Sequence, residues 1–383
     1  MFGQLDDEQL IIQRTIRRFA AEHILPYASD WDDTSHFPQE IVPLLAEMGL
    51  CGIAIPEELG GSGLNRLTGA VIYEALASTD LSTAVWLSVH NMVAGIVYRF
   101  GTPEQQSQWL PDLVQGRSIG AFSLSEADAG SDPAGMKATA RRDGNEYVIN
   151  GSKMWVTSGD VAGLIVVMVR TGSGKQGISA FVVAQGTPGL AVGKIERKMG
   201  LHSSHTAELI FDECRVPMNN LLGSEGQGLA IALSSLDAGR INIAASANGV
   251  SQAAIDIATQ YAAERQQFGK AIAEFQGIQF MLSDMHMNTE AARLLTYRAA
   301  AVLDNAGKAT SEAAMAKCFS TDTAMAVTTN AVQILGGAGY TKDYPLERFM
   351  RDIKVTQIFE GTNQIQRIVI ARHLLSAISA TKK

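Results

Sequence analysis

The stretch Tyr147-Val148-Ile149-Asn150-Gly151-Ser152-Lys153-Met154-Trp155-Val156-Thr157 decides the architecture. Its β-branched and aromatic residues flank an Asn-Gly pair. Asn-Gly between two apolar runs is the strongest short-range hairpin signal, because both residues accept the left-handed backbone of a tight turn. The reading is a strand through Tyr147–Ile149, a turn at Asn150-Gly151, and a return through Met154–Thr157. Working outward, β character extends from about Ala121 to about Val216. Leu164–Val169, Ile178–Val183 and Leu209–Phe211 add strands between glycine-rich turns.

Both flanks are helical. Ile12, Ile16, Phe19, Ala20, His23 and Ile24 recur at helical spacing after an Asp-rich start that can cap a helix. Gly60, Gly61, Ser62 and Gly63 form a loop, and further helical patterns begin near Thr68 and Ser82. Thr102-Pro103-Glu104 is a helix start, a cap followed by proline at the first position. From about Gln227 to Ala380 the pattern is helical, alanine-rich and apolar on more than one face, as in a buried bundle. The expected fold is mainly α with a central β domain: helical over 1–120, β over 121–226, helical over 227–383. Strands do not alternate with helices, which disfavours a doubly wound parallel sheet.

The 383 residues are 46% hydrophobic and 18% charged, ordinary for an enzyme with a large core. A net charge of −8 argues against nucleic acid as a partner. Cys51, Cys214 and Cys318 are an odd, scattered set, which fits a reducing compartment better than a disulfide framework. No uninterrupted apolar run is long enough to insert in a membrane; the longest candidate, Leu164–Val169, reads as a strand. Asp6, Asp7 and Glu8 at the start are unlike a secretory or transit peptide, so the expected location is the cytoplasm.

Several look-alike motifs fail. Gly174-Lys175 lacks the first glycine of a P-loop, where Val169 stands, and its Ser/Thr, where Gln176 stands. Gly336, Gly337 and Gly339 follow a helical pattern, not the strand that a dinucleotide turn needs. His202 and His205 have no neighbours in the sequence to complete a metal set and read as a polar loop. Gly60–Leu64 is not a nucleophile elbow, because its fifth position is Leu64.

Three segments hold together: Leu124-Ser125-Glu126-Ala127-Asp128-Ala129-Gly130-Ser131-Asp132, then Gln333 to Tyr340 followed by Asp343, Arg348 and Asp352, then Ile358-Phe359-Glu360-Gly361-Thr362-Asn363-Gln364. In this order and spacing, with Arg265 to Gly269 and Met154 to Gly159, the chain resembles the acyl-CoA dehydrogenase family over essentially its whole length. The resemblance implies an N-terminal helical domain, a middle β-barrel or sandwich and a C-terminal four-helix bundle. It also implies FAD, an acyl-CoA substrate, a homotetramer built as a dimer of dimers, and electron-transferring flavoprotein as acceptor. Gly60–Leu64, Val89–Met92, Gly239–Ala244 and Lys342–Tyr344 resemble the branch that acts on isobutyryl-CoA in valine breakdown, with butyryl-CoA and 2-methylbutyryl-CoA as alternatives.

The resemblance also assigns residues. Phe122, Leu124, Ser125, Ser131, Trp155, Val156 and Thr157 fall to the flavin. Arg265, Phe275, Gln276, Gln333, Ile334, Leu335, Gly336 and Gly337 fall to the pyrophosphate and adenosine of a neighbouring subunit's FAD, and Thr362, Asn363 and Gln364 to a phosphate at a helix start. Ser131, Asp237, Ala238, Gly239, Arg240 and Arg372 fall to the CoA substrate. Ala127 stands where a proline is common, which loosens that loop without removing a chemical group.

The implied reaction removes a weakly acidic proton from Cα and a hydride from Cβ. Glu360 is the implied base. Apolar neighbours, Ile358 and Phe359, should raise its pKa and strengthen it. Some relatives carry the base at the position of Gly239, which cannot serve. Trp86, by loose alignment, is expected to floor the acyl pocket and favour short or branched groups. Rival readings are an acyl-CoA oxidase, a catalytically silent FAD-binding assembly protein and a helical scaffold.

Overall fold

The structure is a computed structural model that describes residues 5–380. The N-terminal segment holds α1 (Asp7–His23), α2 (Ala28–Thr34), α3 (Val42–Glu47), α4 (Arg66–Ala77), α5 (Leu81–Phe100) and α6 (Pro103–Val114). Start signals work as the sequence suggests. Asp6 and Gln9 form a reciprocal capping box on α1, and Thr102 and Gln105 form another on α6 around Pro103. The strands are β1 (Gly120–Ser123), β2 (Thr139–Asp143), β3 (Glu146–Thr157), β4 (Leu164–Arg170), β5 (Ile178–Ala184), β6 (Leu190–Ile195), β7 (Thr206–Pro217) and β8 (Leu221–Leu222). They make one sheet in the order β6-β7-β3-β2-β4-β5-β8, with β1 parallel to β4.

The remainder is α7 (Gly228–Glu264), a short hairpin of β9 (Gln266–Gln267) and β10 (Lys270–Ala271), then α8 (Gln276–Ala306), α9 (Thr310–Leu335), α10 (Gly337–Tyr340), α11 (Leu346–Ile353) and α12 (Asn363–Ala380). The long helices α7, α8 and α9 pack on one another and α12 packs on α9. At 37 residues α7 runs about 55 Å, long enough to meet α4 and α5 as well as α8 and α9.

Two expectations need correction. Asn150-Gly151 is not a turn, because β3 runs straight through it. The β2–β3 turn is Gly144-Asn145, closed by the pairing of Asp143 with Glu146. Asn150-Gly151 forms a bulge against β7, where the register slips between Ile149 and Gly151. Gly151 there has φ 136°, and Asn150 accepts from the Glu213 N–H and donates to its carboxylate. The same tolerance for unusual backbone serves a bulge as well as a turn. The second correction concerns α5. It is long and apolar enough to cross a membrane by length and composition, but 72% of that window is buried inside the protein. His90, Asn91 and Arg99 punctuate its sequence and hide the run.

Close packing sets where the helices lie. Around Gly249 the α7 residues Ala244, Ala245 and Ala247 are fully buried, and a Cβ on Gly249 would stand 2.1 Å from the backbone oxygen of Glu74 in α4. The Glu74 side chain, also buried, accepts from Arg293 Nε at 2.7 Å and from the Tyr297 hydroxyl at 3.1 Å, tying α4 to α8. A backbone atom cannot move aside as a side chain can, so Gly249→Ala must separate the helices, at a cost of about 1–3 kcal/mol. Its melting temperature should fall by about 1–4 °C, the shift that such a cost produces in a chain of 383 residues. An unchanged melting curve would show that α4 and α7 do not pack this closely.

Candidate active site

Between α11 and α12 the chain turns through Ile358 to Thr362, and here the backbone is strained. Glu360 has φ 54° and Gly361 has φ 86°, consecutive left-handed residues of which only the second is glycine. Three buried side chains hold this turn by its carbonyl oxygens. Arg240 Nε donates to Glu360 O at 3.2 Å, and Gln366 Nε2 donates to Glu360 O at 3.1 Å and Gly361 O at 2.8 Å. Lys317, fully buried on α9, donates to Gly361 O at 3.0 Å and to Asn363 Oδ1 at 2.9 Å. Burial pushes the Lys317 ammonium down to about 8, while the charge of Glu360 works the other way.

The turn aims the Glu360 carboxyl at α7. A Cβ built on Gly239 would lie 2.4 Å and 2.6 Å from its two oxygens and 2.7 Å from Met92 Cε. Glycine at 239 is therefore the space the carboxyl occupies. Part of the residue's surface meets solvent, but Oε2 is shut off from it and has no hydrogen-bond partner. Burial lifts the pKa to about 7, with Arg240 and Lys317 restraining the rise. A buried carboxyl without a partner, poised near neutrality, is suited to taking a proton.

Beside it lies a cavity of about 80 Å³. Tyr73 on α4, Met92 and Gly95 on α5, and Ala238, Gly239 and Asn242 on α7 form its inner wall. Trp86 is not in that wall. It is fully buried in the helical core against Phe37, ring centres 5.4 Å apart, so the expectation that it floors the pocket is overturned. It sits on a part of α5 turned into the core. Tyr73 and Met92 are what limit the space near Gly239.

The residues expected at the flavin gather where β1 ends beside β3. The Met154 N–H donates to Ser125 O. Phe122, Leu124 and Met92 pack against one apolar cluster, which brings this edge towards the Glu360 cavity. Trp155 sits at a β3 bulge with φ 57° and is 53% exposed, so it is not core. A strained, exposed indole beside half-buried Leu124, Ser125 and Thr157 makes a shelf suited to a flat ring. Val156 differs: its side chain is buried in the sheet core, leaving only its backbone to meet a ligand. Ser131 is exposed on the loop beyond.

Sequence reasoning missed what supports this shelf. Lys153, fully buried, binds Glu126 Oε1 at 2.8 Å and Leu124 O at 3.1 Å, and Glu126 also accepts from the backbone N–H of Lys137 and Ala138. A charged pair inside two of the quoted motifs was the available signal.

Elsewhere the picture is mixed. Arg265, Gln276, Gln333, Gly336 and Gly337 are exposed and Phe275 is half-buried, whereas the side chains of Ile334 and Leu335 are core. Asp237 and Arg240, expected at CoA, are buried and spend polar atoms inside the protein: Arg240 on Glu360 and Asp237, and Asp237 also on Thr310. Asn363 likewise binds Lys317, Thr321 and Asp322. Thr362 caps the Ile365 N–H, and Gln364 follows in the first turn of α12. Arg372 is exposed, about 13 Å along α12 from Asn363. His202 and His205 anchor a loop, to Asp32 O and Lys198 O and to Asp160 respectively.

Comparison with known proteins follows the same lines. Residues 6–117, 121–214 and 226–375 match the family models for the N-terminal, middle and C-terminal domains of acyl-CoA dehydrogenase. The short-chain specific mitochondrial acyl-CoA dehydrogenase of Rattus norvegicus is 44% identical over 97% of this chain and 91% of its own. The mitochondrial isobutyryl-CoA dehydrogenase of Dictyostelium discoideum is 42% identical over 97% and 90%. The structure of butyryl-CoA dehydrogenase from Megasphaera elsdenii superposes with a TM-score of 0.95 at 40% identity, covering 98% of this chain and all of that one.

Glu360→Gln keeps the shape of the side chain and removes its proton affinity. The rate at which an acyl-CoA bleaches the bound flavin should fall by about ten-thousandfold, the upper end for a general base, with flavin content unchanged. Bleaching at close to the normal rate would remove Glu360 from the chemistry.

Proposed function

Because the chain belongs to the acyl-CoA dehydrogenase family, we propose that it oxidises a short, branched acyl-CoA, isobutyryl-CoA to methacrylyl-CoA. The family's members are oxidoreductases acting on CH–CH bonds, and FAD is their cofactor. The observation that carries the reading is the Glu360 carboxyl, without a hydrogen-bond partner on Oε2, against Gly239 beside a cavity of only about 80 Å³.

The chain's own residues do the following. Tyr73, Met92 and Gly239 limit the space for the acyl group. Glu360 removes the proton from Cα, in a pocket where water does not compete for it. The Glu360 backbone N–H stabilises the charge that develops on the thioester oxygen. Trp155, Thr157, Leu124 and Ser125 hold the flavin, and the Lys153–Glu126 pair fixes that shelf. Bound FAD supplies the acceptor for the hydride leaving Cβ. Retention of Glu360 speaks against a catalytically silent assembly protein.

We assign electron-transferring flavoprotein as the acceptor and a homotetramer as the assembly. The tetramer is supported by apolar side chains facing outward, Phe268 at 94% exposed and Phe280 and Met287 at over 60%. Phe268 stands on the β9–β10 hairpin beside Arg265, where a neighbour's cofactor would lie.

A panel of acyl-CoAs separates the substrates. Isobutyryl-CoA should exceed octanoyl-CoA in kcat/KM by at least about tenfold, the discrimination of one or more misfitted methylenes. It should also exceed straight-chain butyryl-CoA. If octanoyl-CoA is the better substrate the short-pocket reading is wrong, and if butyryl-CoA exceeds isobutyryl-CoA only the branched preference is.

A further inference from the structure

The cavity beside Glu360 has an outer end that the reaction as described does not use. It lies between the start of α4 and the end of α5, where Arg66 and Arg99 join the lining. No acid lines the cavity. The Arg66 guanidinium engages none of the hydrogen bonds or ion pairs among the described residues. Arg99 is partly used, on Gly95 O and Ser235 Oγ. The half-buried Arg66 guanidinium is held below its ordinary pKa by burial. Arg99 is exposed, and its pKa is lowered by packing around its stem and by the charge of Arg66. A half-buried cation on the wall of a cavity with no acid in its lining calls for an anion beside it.

The nearby acids do not supply it. Asp304 caps α4, accepting from the backbone N–H of Arg66 and Leu67 at 2.8 Å and 3.2 Å. Its charge reaches Arg66 only through space. Asp237 is engaged by Arg240 and Thr310. A second observation points the same way. Tyr73 is 2% exposed and lines the same cavity. Asn91 stands beside its hydroxyl, but the Asn91 amide is already bound to the backbone of Ile53, Leu50 and Leu87, which leaves the Tyr73 O–H without an acceptor. A buried donor left unmatched costs stability, as does a cation left uncompensated. One oxyanion would satisfy both.

We propose that Arg66, with Arg99 and the Tyr73 hydroxyl, forms a subsite for an oxyanion carried by the acyl-CoA ligand. The assignment rests on the acyl-CoA reading and adds to it. Two parts of such a ligand offer the required chemistry, a carboxylate at the far end of the acyl group and a phosphate of CoA.

Binding to the FAD-loaded enzyme distinguishes them, read as perturbation of the flavin spectrum by products that are not oxidised further. The ligands are crotonyl-CoA, fumaryl-CoA (the same length with a terminal carboxylate) and S-crotonyl pantetheine, which has no phosphate. Arg66→Met should raise the dissociation constant of at least one CoA ligand by about 10- to 100-fold, the range for a charge-assisted hydrogen bond. A loss confined to fumaryl-CoA assigns the acyl carboxylate. An equal loss for both CoA thioesters, with the pantetheine thioester unaffected, assigns a phosphate. No change in any of the three, or the same change in all three, overturns the subsite. Tyr73→Phe should shift the same ligand in the same direction by a smaller factor, and serves if Arg66→Met does not retain FAD. If none of the three perturbs the unaltered enzyme, the acyl-CoA reading itself fails.

Discussion

Glu360 and Gly361 hold consecutive left-handed backbone conformations, and the site depends on the donors that keep them there. A non-glycine residue in that region costs about 1–3 kcal/mol. Against this stand hydrogen bonds from Arg240, Lys317 and Gln366 to two carbonyl oxygens. Two of the three donors are cationic, and each such bond contributes about 1.5–3 kcal/mol. The bonds outweigh the strain, so the carboxyl is carried into an apolar place it would not choose. The cations that fix the turn also moderate the rise in the Glu360 pKa. Positioning and tuning are done by the same side chains.

That economy explains why residues expected to touch a ligand are used within the protein. Arg240 and Asp237 stand one residue to either side of the Ala238-Gly239 pair that meets the cavity, yet both are buried and paired. Arg240 also holds the Glu360 turn. At the flavin shelf the division is similar. Trp155 and Thr157 present side chains outward, while Lys153 and Glu126 bind each other and the Leu124 carbonyl beneath them.

The helix–sheet–helix order was legible because helical periodicity, cap residues and glycine-rich turns are local signals. Thr102-Pro103 and Asp6 cap where expected. Asn150-Gly151 misled because the dipeptide reports a tolerance for unusual backbone, and only the pairing of β3 with β7 decides between a turn and a bulge. Trp86 misled for a related reason: sequence places it on a helix but not on a face of that helix. Glu360 stood out through its motif, and its contact with Gly239 agrees with the need for a small residue there. Lys317 and Gln366 were invisible as supports, because a buried lysine or glutamine looks like a surface one until its partners are placed.

The central claim is that burial makes Glu360 a base poised near neutral pH. It is tested by the pH dependence of flavin bleaching with substrate well below saturation, which reports the free enzyme. The base acts deprotonated, so the rate should rise about tenfold per pH unit below the midpoint and level off above it, with the midpoint near 7. A profile flat from about pH 5.5 to 8.5, with any fall confined to the ordinary carboxylate range near 4.5, would contradict the account. It would mean that the carboxyl is solvated and that the strained turn does not hold it where the structure places it.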